Sequence, residues 1–188
     1  MAKKKVSDIK TRRLIYQYIE KYPGLHKREL VRLSQVPYST LDYHIFILNK
    51  RNLVKIESDK QFIRYYASGK IGSRDKEIIN VLRQSAPRDI ILFLIINPSS
   101  THETLRNHLK LAPSTTSYHI KKLMKLNITN SERIGKESVY CVIDPDYITD
   151  ILVSFKSTFL SKTVDQFVKT IVDIHPKYLR KARNEEKK

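Results

Sequence analysis

Ser39-Thr40-Leu41-Asp42-Tyr43-His44-Ile45 returns 75 positions later as Ser114-Thr115-Thr116-Ser117-Tyr118-His119-Ile120. Extending that match outward without a gap aligns Leu48 with Leu123, Lys50 with Lys125, Asn52 with Asn127, Glu57 with Glu132 and Tyr65 with Tyr140. Upstream, Leu30 meets Leu105 and Pro23 meets Pro98. From Arg13 over Arg88 onward about a quarter of the positions are identical, at a period too long for a solenoid. The chain therefore reads as one module duplicated, and what the module does is written twice.

The order of elements in the first copy follows from hydrophobic spacing. Ile9, Leu14, Ile15, Tyr18 and Ile19 lie mostly on one face of a helix predicted from Ser7 to Tyr22, and Pro23-Gly24 ends it. A short helix over Lys27 to Ser34 turns Leu30 and Leu33 inward, and Gln35-Val36-Pro37 is long enough only for a turn. A third helix is predicted from Tyr38 to Arg51, with Ser39 or a neighbour as its cap. Its Leu41, Ile45 and Leu48 recur at intervals of four and three, so they face the core and leave Tyr38, Thr40, Asp42 and Tyr43 on or near the other face. Two helices joined by three residues make a helix-turn-helix. The β-rich runs 53–56 and 62–66 around the polar 57–61 then predict a hairpin.

The second copy predicts helices over 89–96, 102–110 and 113–126 and a hairpin of 128–133 with 138–142. Pro113 stands in the first turn of its helix, where proline is tolerated. Between the copies, 69–73 is a glycine-containing loop, 74–84 offers Ile78, Ile79, Val81 and Leu82 to a linker helix, and Ser85-Ala86-Pro87 predicts a break. Beyond Asp144-Pro145-Asp146, apolar residues from Ile148 to Ile171 at near-helical spacing predict one long amphipathic helix, or two broken near Ser161. The expected class is mainly α with small β-hairpin wings. Its parts are a first domain at 7–68, a linker at 69–86, a second domain at 87–144, a C-terminal helical segment at 145–176 and a basic tail at 177–188.

Charge narrows the partner. The chain has 36 Lys+Arg against 19 Asp+Glu, a formal net charge of +17. Residues 1–94 hold 20 basic and 9 acidic side chains and residues 95–188 hold 16 and 10, so both halves are basic. Solubility alone needs a net charge of about 2 to 8 in magnitude for a small domain, so a polyanionic partner is expected. The longest apolar run, 90–96, is far short of a membrane span. The basic start, Met1 to Lys5, leads into Asp8, Lys10, Arg12 and Arg13 rather than an apolar stretch, unlike a secretory signal. With one cysteine, Cys141, in a predicted strand, neither an internal disulfide nor a multi-thiolate metal site can form, which fits a reducing cytosol.

The Ser-Thr-x-x-Tyr-His-Ile-x-x-Leu string of Ser39 to Leu48 and Ser114 to Leu123, with the surrounding order of elements, resembles the recognition-helix signature of ArsR-like winged-helix transcription regulators. The resemblance covers about two thirds of the chain, from near Asp8 to Asp144, and tandem copies in a small basic protein are most similar to archaeal regulators of this superfamily, such as those controlling archaellum genes. It implies a third helix in the DNA major groove, a wing on the adjacent backbone and terminal helices that form a homodimer. The thiolate ligands of metal-sensing members are missing from 30–48 and 105–123.

Double-stranded DNA needs cations for phosphates and side chains that reach base edges. On the second recognition helix the candidates are Ser114, Thr115, Ser117 and Tyr118 as readers and Lys121 and Lys122 for phosphates, with Arg133 and Lys136 on the wing. On the first they are Tyr38, Ser39, Thr40 and Tyr43, with Lys55, Lys60 and Arg64 on the hairpin. His44 and His119 lack ligand-spaced partners, so a phosphate or packing role is preferred to metal.

The copies differ: Phe46-Ile47 stands where the second has Lys121-Lys122, and Asp42 where it has Ser117. Asp42 either accepts from a cytosine amino group or merely caps or solvates its helix, and the second module is expected to contribute more to DNA affinity. The terminal stripe either closes the second core or, as preferred, pairs two chains as a homodimer. The basic tail adds non-specific DNA contacts. No cofactor is expected, and the sequence has no Walker, His-Glu-x-x-His, Gly-x-Ser-x-Gly or Cys-x-x-Cys motif. The expected function is a cytoplasmic, nucleoid-associated regulator that binds specific DNA and contacts the transcription machinery. The alternatives are a protein-interaction scaffold or a sequence-blind architectural protein.

Overall fold

The computed structural model describes residues 2–59, 62–159 and 161–174. The chain divides into two units, Met1–Lys76 and Glu77–Lys188. The division falls inside the stretch expected as a linker.

The first unit opens with α1 (Ala2–Lys21), which starts earlier than the apolar spacing indicated. Ile15 and Ile19 are fully buried in it, and α1 packs on α2 (Lys27–Ser34), α3 (Tyr38–Lys50) and β3 (Phe62–Ala67). Between α1 and α2 the chain contributes β1 (Leu25–His26), a strand too short to leave a periodic signal. β2 (Val54–Asp59) completes an antiparallel sheet of order β1-β3-β2, in which Leu25 faces Tyr65 and Ile56 also faces Tyr65 from the other side. The first hairpin strand runs further than expected, to Asp59, so the polar 57–59 is strand, whereas β3 starts at Phe62 as expected and ends one residue later, at Ala67.

Gly24 makes the entry to β1 possible. Its φ is +77, its N–H donates to the Tyr65 carbonyl at 3.0 Å, and a Cβ there would meet the Tyr66 hydroxyl at 3.1 Å. His26 then caps α2 in a capping box: its Nδ1 accepts from the Glu29 N–H at 3.3 Å, and its own N–H donates to Glu29 Oε2 at 3.0 Å. Gln35, left-handed at φ 56, ends α2. Pro37 precedes α3 as its N-cap with no side-chain cap bond, so Ser39 does not cap it. Leu41, Ile45 and Leu48 are buried as expected, which stabilises by about 1.5–3 kcal/mol for each fully buried side chain.

The second unit repeats this order 75 residues on, element for element, as β4 (Ser100–Thr101), α6 (His102–Leu109), α7 (Pro113–Lys125), β5 (Thr129–Ile134) and β6 (Glu137–Val142). The sheet order β4-β6-β5 is that of the first, and Ser100 faces Tyr140 as Leu25 faces Tyr65. Left-handed residues recur in step: Gly24 with Ser99, Gln35 with Lys110, and Asn52 with Asn127. Pro113 is the first residue of α7, as expected. Gly135, at φ 62, opens the two-residue turn of the second hairpin, the place where such turns need glycine.

One element departs from the repeat. The stretch matching α1 is split into α4 (Ser73–Leu82) and α5 (Ser85–Ile96), with Arg83 and Gln84 between them. Pro87 stands where α1 has Arg12. A proline has no N–H for the carbonyl four residues back and its ring clashes with it, so the helix stops near Arg83 and restarts with Pro87 in its first turn. The break therefore lies two residues before the expected one. Ile78, Ile79, Val81 and Leu82 of α4 are buried.

The C-terminal segment is broken near Ser161, as one of the two expectations had it, and again at Phe155. It forms α8 (Pro145–Ser154), α9 (Lys156–Phe159) and α10 (Lys162–Ile174). Asp144 caps α8 by accepting from the Tyr147 N–H at 3.0 Å. Ile148, Ile151, Leu152, Phe159, Val164, Phe167 and Val168 are buried, and α10 packs on α5, α8 and α9. Most of the described residues of the apolar stripe that suggested a homodimer are thus buried within the second unit, with Phe155 and Ile171 half-buried. The basic tail lies outside the described residues. The molecule is mostly helical with two small antiparallel sheets, an arrangement compatible with a winged helix.

Candidate nucleic-acid interface

Helix geometry puts the third helix of each unit half in the core and half outside. On α3 the outer face carries Tyr38, Ser39, Asp42, Tyr43 and Phe46, with Thr40 and Ile47 half-buried at its edges. On α7 it carries Ser114, Tyr118, Lys121 and Lys125, flanked by the half-buried Thr115, Ser117, His119 and Lys122. The most exposed apolar residue of either helix is Phe46, at 65%.

Tyr43 and Tyr118 hold matching places on that surface. Each stands edge-on to the ring of the next residue, Tyr43 to His44 and Tyr118 to His119, with centroids 5.1 Å apart in both pairs. His44 is fully buried and neither ring nitrogen has a protein hydrogen-bond partner. The phosphate role allowed for His44 is therefore excluded in this fold, and the packing role remains. Burial lowers the His44 pKa, the Arg12 charge lowers it further, and Asp8 opposes them. Burial followed by the Lys122 charge lowers that of His119. Both shifts favour the neutral imidazole that a ring under a tyrosine needs.

Several charged candidates are occupied. Arg64 is 4% exposed and donates to the Gly24 carbonyl at 2.9 Å, with its guanidinium 5.5 Å from the Phe62 ring centre, so it holds the β1 entry and is not a wing contact. Lys122 donates to Gln84 Oε1 at 2.8 Å, which leaves Lys121 as the outward member of its pair. Asp42 is paired with Lys27 at 2.6 Å, and the Lys27 ammonium also lies 5.3 Å from the Tyr38 ring. Ser117 shares a 2.9 Å hydrogen bond with His102 Nε2. Lys55, Arg133 and Lys136 are exposed on the hairpins, and Lys60 lies outside the described residues.

Lys27 and His102 escaped the sequence reading, although the repeat aligns them with each other, as it does Lys50 with Lys125 at the exposed helix ends. Neither type nor spacing announces a partner 15 residues away on another helix. Cys141 is half-buried in β6. Among the described residues no group of three His, Cys, Asp or Glu side chains could hold a metal, and no helix is long and apolar enough to cross a membrane. What the faces offer is a row of hydroxyls and three exposed tyrosines beside lysines, with donors, acceptors and positive charge.

No family model matches the chain. Two solved structures are similar only weakly: the endosomal complex ESCRT-II, at 14% identity over 76% of this chain and 63% of that one with a TM-score of 0.30, and a conserved hypothetical protein from Chlorobium tepidum, at 10% over 74% and 94% with a TM-score of 0.28. Neither likeness carries an argument. In sequence, the chain is 33% identical over 145 residues to an uncharacterized HTH-type transcriptional regulator of Methanocaldococcus jannaschii, a match that takes in 77% of this chain and 35% of that protein. The chain thus spans about a third of the length of a curated relative described as a helix-turn-helix regulator.

Proposed function

We propose that the chain is a sequence-specific double-stranded DNA-binding transcription regulator of the ArsR-like winged-helix kind, built from two tandem modules. In this reading α3 and α7 enter the major groove and the hairpins β2–β3 and β5–β6 follow the backbone. The observation that carries it is the exposed face of α7, with Ser114, Ser117 and Tyr118 beside Lys121 on a helix whose opposite face fills the core. The net charge of +17 and the likeness to a helix-turn-helix regulator support the same reading. It is a non-catalytic role in the cytoplasm, on the nucleoid.

The two modules do not contribute equally. Lys50 and Lys125 are matched exposed cations, but Lys121 of α7 stands where α3 presents Phe46, and the acidic residue of α3 is already neutralised by Lys27. The second module accordingly supplies most of the affinity. A homodimer is no longer required by the terminal stripe, and one chain's two recognition helices suffice for the proposal. The apolar Phe46 favours a protein contact there, with the transcription machinery as its candidate.

Binding of a labelled duplex at rising salt tests the reading against a protein-interaction scaffold. The proposal expects retention near physiological salt and a logarithmic affinity that falls linearly with the logarithm of salt concentration, with a slope of several units. No retention at low salt would remove it.

A further inference from the structure

A contact that joins α2 to α3 in the first unit has a counterpart at the same two positions of the second. Lys27 is the first residue of α2 and Asp42 the fifth of α3, and the ammonium lies 2.6 Å from both carboxylate oxygens. His102 is the first residue of α6 and Ser117 the fifth of α7, joined by a 2.9 Å bond between Nε2 and Oγ. The same separation of 15 residues thus holds an ion pair in one module and a neutral-capable hydrogen bond in the other.

We propose, on the footing of the DNA-binding reading above, that Lys27 and His102 are positioning residues that determine what the fifth residue of each recognition helix presents to a base. Ser117 stands half-buried at the edge of the outer face of α7, one turn from each of the exposed Ser114 and Lys121. A serine hydroxyl has one proton and two lone pairs and rotates to suit any partner, so alone it discriminates poorly between base edges. His102 removes that freedom. Where the imidazole nitrogen accepts, the Ser117 proton is committed and the oxygen meets DNA as an acceptor, suited to the amino groups of adenine or cytosine. Where the nitrogen donates, the proton is free for the oxygen of guanine or thymine. The first tautomer leaves the hydroxyl a single polarity toward the groove, and the second leaves it its proton and one lone pair in a fixed direction.

In the first unit the same device works on charge. An unpaired Asp42 would meet phosphates as a like charge. Lys27 cancels that charge while its ammonium also faces the Tyr38 ring, so residues 27, 38 and 42 act as one group, and the carboxylate keeps lone pairs for a cytosine amino group. A purely structural staple is the competing use. The Lys27 and Asp42 side chains are 36% and 56% exposed, and ion pairs that open to water add little to stability.

The test is binding-site selection from a random duplex library with the full chain, its His102→Ala, His102→Gln and Ser117→Ala variants, and melting midpoints for each. His102→Ala is expected to keep its midpoint and its salt dependence while discrimination at one base position falls about 5- to 10-fold, at the position that Ser117→Ala also loses. His102→Gln, which retains a side-chain amide, restores part of the preference even if the alanine variant folds poorly. In parallel, Lys27→Ala weakens binding to all sequences and adding Asp42→Ser recovers it. An unchanged motif in His102→Ala, when Ser117→Ala does change it, would overturn the inference. So would a Lys27→Ala loss that Asp42→Ser does not recover. A wild-type chain that yields no motif marks failure of the DNA-reading proposal itself, and the inference falls with it.

Discussion

Lys121 and Lys122 are neighbours in α7 with different occupations, since one faces outward and the other donates to Gln84. Lys121→Ala should therefore lower the salt slope of duplex binding by about 1 and weaken all sequences alike, and Lys122→Ala should change the slope less. Titrations at several salt concentrations check this directly. His44 gives a different kind of prediction. Its pKa is lowered in the fold, so between the folded value and the ordinary value of about 6.5 the unfolded chain binds more protons than the native one. Its contribution to stability is complete above that ordinary value and is lost as pH falls toward the folded one. Urea midpoints at pH 7 and pH 5 should thus converge in His44→Leu relative to the wild type, and an unchanged difference would show that His44 does not titrate on unfolding. At this scale Tyr43, Tyr118, Ser114 and Lys121 were legible because helical periodicity separates outer from inner positions. The burial of Arg64 and His44 was not, because each depends on a strand or helix distant in sequence that fills the space around it.

Pro23-Gly24 and Pro98-Ser99 occupy equivalent corners with backbones of the same hand, at φ +77 for Gly24 and 61 for Ser99. A side chain in the left-handed region costs roughly 1–2 kcal/mol, while glycine loses more backbone entropy on folding, so Ser99→Gly should stabilise the chain by up to about 1 kcal/mol. Gly24→Ala should destabilise by more than that gain, because the added methyl meets the Tyr66 hydroxyl as well as the strained φ. Denaturant unfolding of the two variants gives both signs in one experiment. The helices of the two helix-turn-helix segments were read well: Lys27–Ser34 is matched residue for residue, and the third-helix boundaries fall within a residue or so. The two-residue strands β1 and β4 had no period to detect. The terminal helices were misjudged because a continuous apolar stripe says which residues are inside but does not say where the chain bends to bring them there.

Across the whole molecule, one internal duplication accounts for most of what was legible. Two copies of each element at a fixed offset let every weak signal be read twice, and the same offset exposes where the copies have parted: Pro87 for Arg12, Lys121 for Phe46, Ser117 for Asp42. Those differences lie on the third helix of each unit and on the helices that open the two copies, and they make two similar modules an unequal pair. The most direct measurement of the central claim is selection of the full chain against a random duplex library near physiological salt, followed by sequencing of the bound pool. A recurrent motif, dependent on Ser114, Ser117 and Tyr118 and retained when Phe46 is replaced by alanine, is the predicted result. A pool retained without any motif would make the protein an architectural DNA binder and contradict the account.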